Sequence, residues 1–193
     1  MIYRRIRMKT LFTIVLILVC ICGCAAPLLA DQEASGTVSI TYVLHSIQTR
    51  GSNQIAVWIE DGDGNYVKSL FATSFGADGG FKKRPDTLSE WVRISDWENA
   101  SSAEVDTVSW ATQTAGAKTI VWDLTDRAGM PVTTGTYIYK IEGNISMENC
   151  VLWQGKIDVG GNGSTSVAEA TYSPSDAAKK GLLLEQVQAV YKP

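Results

Sequence analysis

Side chains able to do chemistry are sparse in this 193-residue chain, and the most informative of them share one stretch. Asp106-Thr107-Val108-Ser109-Trp110-Ala111-Thr112 places a carboxylate three residues before one hydroxyl and six before another. A hydroxyl of this kind serves as an acceptor only where a modifying enzyme can reach it, so the segment is expected on an exposed loop. His45 is the only histidine, which excludes a site of several imidazoles and a conventional triad within this chain. A tyrosine or a strand-end partner is the expectation for it. Cys150 is the one cysteine beyond residue 24, and its apolar neighbours make it a small hydrophobe rather than a nucleophile. Asp61, Asp63 and Asn65 copy the opening of a calcium-binding loop, but the later ligands are missing and strands flank the segment, so a turn is expected. Lys82-Lys83-Arg84 is the densest positive run and reads as a solvated loop, or as a contact for a phosphate or an acidic partner. No nucleophile, base and acid form a set, so no independent enzymatic activity is expected.

The elements that must position these residues are strands. Val38, Ile40, Tyr42 and Leu44 alternate with polar residues, and Ile55, Val57 and Ile59 repeat the pattern. Further strand patterns run over 66–73, 118–123, 135–143, 151–159, 167–172 and 187–191. Trp58, Trp122 and Trp153 fall within them and read as core. Asp61-Gly62-Asp63-Gly64-Asn65 and Asp126-Arg127-Ala128-Gly129 have the composition of turns, and 160–166 that of a flexible connector. About eight strands with regular turn signals predict an all-β fold, an immunoglobulin-like two-sheet antiparallel sandwich. An irregular, partly helical insertion of about 76–117 interrupts it. Ser101 and Glu104 have capping-box spacing, which predicts a short helix there. Three tryptophans in the insertion, Trp91, Trp97 and Trp110, argue that it packs down on the domain.

The N-terminus reads as an address. Arg4, Arg5, Arg7 and Lys9 precede an apolar run from Leu11 to Cys22, then small residues and Pro27. The dense run is short for a membrane span, although counting through Ala30 nearly reaches that length. Residues 1–30 are therefore expected to be a signal peptide cut after Ala30, or a lipoprotein signal in which Ile21-Cys22-Gly23-Cys24 resembles a lipobox and Cys24 is a candidate lipid anchor. Residues 31–193 are expected to form one domain. The whole chain has 17 basic and 20 acidic residues, and residues 1–30 hold four of the basic ones. The remaining 13 against 20 give a net of −7, which argues against nucleic acid and anionic membrane as partners.

Three resemblances add to this reading. Val121-Trp122-Asp123-Leu124-Thr125-Asp126, followed by Gly129, Pro131, Gly135, Thr136 and Tyr137, resembles the signature hairpin of immunoglobulin-like repeats in flagellar hook-cap proteins. The wider chain, through 52–61, 79–86, Trp91-Val92 and the same hairpin, resembles a bacterial predicted periplasmic family, domain of unknown function 2271. That likeness implies a sandwich in the periplasm or cell envelope and no established activity. Asp106 to Thr112 resembles the acceptor motif of proteins flavinylated by FAD:protein FMN transferase, with Trp110 where glycine is usual. The resemblance implies covalent FMN on Thr112, with Asp106, Ser109, Trp110 and Ala111 completing the motif and Trp97 or Trp110 offering a face to the flavin ring. It also implies an electron-transfer module with a membrane-bound redox protein as partner. The other reading is a cofactor-free binding or accessory module of an envelope redox or surface system.

Overall fold

A computed structural model of the chain describes residues 32–47, 52–146 and 148–193. The readings made of residues 1–30, the export signal and the anchor at Cys24 included, lie outside these. Period-two patterns become strands because one face of each can be buried while the other stays wet. Val38, Ile40, Tyr42 and Leu44 are the buried positions of β1 (Thr37–Leu44). The later strands are β2 (Gln54–Asp61), β3 (Tyr66–Thr73), β4 (Ser109–Trp110), β5 (Gly116–Trp122), β6 (Gly135–Ser146), β7 (Asn149–Val159), β8 (Ser164–Val167), β9 (Glu169–Ser173) and β10 (Leu184–Lys192). Three short helices join them: α1 (Ser74–Ala77), α2 (Ser89–Ser95) and α3 (Ser102–Val108).

The strands form two sheets of a sandwich, ordered β5-β1-β10-β8 and β4-β3-β2-β6-β7-β9. All pairings are antiparallel except the short parallel one of β3 with β4. Between the sheets lies the main core. It holds the four β1 residues, Ile55, Val57 and Ile59 of β2, Tyr139 and Ile141 of β6, and Val187, Ala189 and Tyr191 of β10. Tyr139 fits because the residue opposite it in β7 is Gly155, where a methyl group would run into the phenol. Trp122 packs edge-on against Tyr137, with ring centres 4.9 Å apart, and donates its indole N–H to the carbonyl of Thr125. Asp126 takes the backbone N–H groups of Ala128 and Met130 in the turn between them.

Two differences from the sequence expectation are informative. The pattern expected as one strand at 167–172 is split. β8 joins the four-stranded sheet and β9 the six-stranded one, with buried Ala168 between them. The connector at 160–166 is correspondingly shorter, because Ser164 already belongs to β8.

The insertion builds a second core on the outer face of the six-stranded sheet. Ala56, Trp58 and Ala72, which point away from the main core, are covered by Phe81, Leu88, Trp91, Trp97 and Val108. This is why seven of the eight β2 residues are buried rather than alternate ones. Trp91 and Trp97 lie 4.5 Å apart by ring centre, and both indoles are satisfied, through Ser69 Oγ and the carbonyl of Ala77. The expectation that the insertion packs down holds for these two tryptophans. It fails for Trp110, which is 59% exposed. The same cover buries polar groups. Lys140 pairs with Glu60 at 2.9 Å, and Glu60 also accepts the Trp58 indole N–H. Glu142 accepts the backbone N–H groups of Glu90 and Trp91 in the first turn of α2.

Candidate functional site

The motif from Asp106 to Thr112 is fixed in its middle and open at its ends. Ser101 starts α3 by accepting the Glu104 N–H on its hydroxyl, as the capping-box spacing predicts. Asp106 is then exposed on that helix. Val108, two residues on and on the opposite side of the helix, is buried in the second core and pins the helix end. β4 follows at once. Ser109 and Trp110 lie beside Ala72 and Thr73 of β3, and the Ser109 hydroxyl meets Asp78 Oδ1 at 3.2 Å. Ala111 and Thr112 leave the sheet as exposed loop. The Thr112 hydroxyl, expected on an exposed loop, is on one, and the Trp110 indole near it stands largely in solvent.

Thr112 lines a cleft of about 450 Å³, bounded also by the end of β1 and the start of β2. Its apolar wall is Leu44, Ile47 and Ile55; His45, Asn53, Thr73 and Gln113 supply polar groups. Gln113 is held by Tyr42, whose hydroxyl donates to Oε1 at 2.6 Å. Burial pushes the Tyr42 phenol up to about 12, against the smaller opposing effect of that bond, so it stays a donor. Asn53 donates its amide to the carbonyl of Ile145, which ties this edge of the cleft to β6. His45 has the strand-end partner expected of it. Its backbone N–H bonds the carbonyl of Leu183, and Nε2 stands 3.0 Å from Glu185 Oε1. That separation suits an ion pair, and Nε2 makes no hydrogen bond among the described residues.

Other residues singled out by the sequence do not join this site. Trp97 is buried against Trp91 and offers no face to a ligand, which corrects the reading of it as a flavin-stacking residue. Lys82 borders a separate hollow with Phe81, Pro85 and Arg93. Arg84 lies over the Phe75 ring at 4.1 Å. The Asp61 carboxylate is occupied by the turn itself, accepting from Asp63 and Asn65. Among the described residues no cluster of three or more histidine, cysteine or acidic side chains could hold a metal. Cys150 is half-buried, its thiol meets the carbonyl of Ser173, and burial raises its pKa, which is the condition of an inert thiol.

Sequence reading missed the cleft and its Gln113 wall. The signal was faint, since Gln113 stands in a polar run and its partner Tyr42 is 71 residues away. Also missed were the buried Glu60–Lys140 pair and the Glu142 contact. Both lie on the sheet face that alternation assigns to water.

The fold and the site define a two-sheet β protein with a helical cover on one sheet and an exposed loop beside a polar cleft. The chain belongs to the predicted periplasmic protein family known as domain of unknown function 2271, whose profile matches residues 37–173. No curated protein matches it. No solved structure does either. Among the described residues no helix is long and apolar enough to cross a membrane.

Proposed function

We propose that this protein is an extracytoplasmic electron-transfer module carrying FMN covalently on Thr112. The observation that carries the reading is the exposure of Thr112 on a loop at the wall of a cleft. In the attachment step the Thr112 Oγ–H attacks the FMN phosphorus of FAD. An O–P bond forms, the pyrophosphate bond breaks, AMP leaves and the hydroxyl proton passes to solvent or the transferase. The transferase supplies that chemistry, and this chain supplies an accessible oxygen with Asp106 on the adjoining helix. Bound flavin supplies one- and two-electron chemistry; the protein orients it and sets its surroundings. A membrane-bound redox protein is the partner such a carrier requires. Export by residues 1–30, with or without a lipid at Cys24, places it in the envelope.

The motif departs from its usual form at Trp110. An indole that is 59% exposed can swing away from the backbone, so the loop remains reachable. Co-expression with an active transferase and intact-mass measurement test the reading. The expected gain is one FMN less one water, absent in Thr112→Ala and retained in Thr112→Ser. An unchanged mass, with the transferase active on a control acceptor, overturns it.

A second reading, a cofactor-free binding or accessory module, is favoured by the open sheet edge at β5. Among the described residues this strand pairs only with β1, and it exposes Val121. An edge of this kind can take a strand from a partner. A colourless native protein that captures a specific envelope partner through that edge would support it over the first.

A further inference from the structure

We propose that the cleft beside Thr112 is the docking site of the flavin's isoalloxazine ring, with Leu44, Ile47 and Ile55 as the apolar wall and Gln113 and His45 addressing the ring's polar edge. The inference rests on Thr112 as the flavin's anchor. Three observations carry it. Thr112 itself lines the cleft, so a group on its oxygen begins at the mouth. The volume of about 450 Å³ lies within the range of small-molecule sites, roughly 300–1,000 Å³. The lining is also the mixture a planar heteroaromatic ring needs, apolar on its face and polar at its edge.

The polar groups are pre-set. Tyr42 occupies Gln113 Oε1, which leaves the amide N–H donors of Gln113 for a ligand carbonyl. The His45 ring lines the cleft, with Nε2 set by Glu185 Oε1 at 3.0 Å. Trp110 does not line the cleft and stands in solvent. It is the competing resting place for the ring.

The test uses full-length protein flavinylated by co-expression, its loading verified by mass. Flavin fluorescence anisotropy and iodide quenching then report whether the ring is held. The cleft predicts quenching several-fold weaker than for free FMN and anisotropy close to that of the whole protein. A Ser46→Leu/Thr114→Leu variant fills the mouth from two exposed positions with side chains that do not quench flavin. It is expected to free the ring while leaving the attached mass unchanged. Gln113→Ala should shift the flavin reduction potential, which Trp110→Ala should not. The proposal is overturned if the loaded flavin is as accessible as free FMN, or if Trp110→Ala rather than the double variant releases it. No mass gain would instead remove the anchor and the ring site together.

Discussion

At the residue scale the account turns on two neighbours, Thr112 and Trp110. The exposed placement of Thr112 was legible in the sequence because the segment is local and polar. Its surroundings were not, because Gln113, Tyr42 and His45 come from two segments that only the sandwich brings together. Trp110 stands where a glycine is usual, so the backbone approach is narrower although the side chain is largely exposed. Trp110→Gly is therefore expected to speed FMN attachment several-fold in a time course followed by mass, with no loss of folded protein. Equal rates would show that the indole does not obstruct. A residue on the far face carries a different expectation. Lys140 is the counter-charge of buried Glu60, so Lys140→Ala leaves a carboxylate uncompensated. Chemical denaturation should show a loss of about 3–5 kcal/mol.

At the element scale the informative piece is α2, which closes the second core. Trp91 is fully buried on it, and Trp91→Ala is expected to cost about 3–5 kcal/mol by denaturant titration. The helix is also tied to β6 through Glu142. Burial, partly offset by the two N–H groups it accepts, raises this carboxyl from an ordinary 4.5 to about 7, with Glu90 nearby acting in the same direction. A raised value means the folded protein holds the proton more tightly than the unfolded chain. The stability this gives is complete below pH 4.5 and disappears as pH rises through 7, a change of roughly 3 kcal/mol. Glu142→Gln should match wild type near pH 4.5 and exceed it at pH 8. Parallel pH profiles for the two would contradict this. Tyr137, Tyr139 and Ile141 alternate along β6 and form its inner face. Lys140 and Glu142 stand on the other face, and a period of two identifies faces without saying what covers the second one. The split of β8 from β9 escaped for a related reason. One short run of residues crosses from one sheet to the other at Ala168, and nothing in its local composition marks the crossing.

At the scale of the whole molecule, family membership and the two-sheet architecture agree with the sequence expectation of a predicted periplasmic β protein. The fold was readable because each strand carries its own pattern and its own turn. The cover on the outer face depends on contacts across the chain and was not. The reading of residues 1–30 as an export signal predicts that protein recovered from the envelope begins at Asp31 after signal-peptidase cleavage, or at a lipidated Cys24, and N-terminal mass mapping distinguishes the two. A chain retaining residues 1–23 would contradict both. The central claim is most directly tested by peptide mapping of the protein purified from its native host. The account predicts that the peptide spanning 106–117 carries one FMN, joined as a phosphodiester at Thr112. Recovery of that peptide wholly unmodified, from cells in which other acceptors are flavinylated, would contradict it.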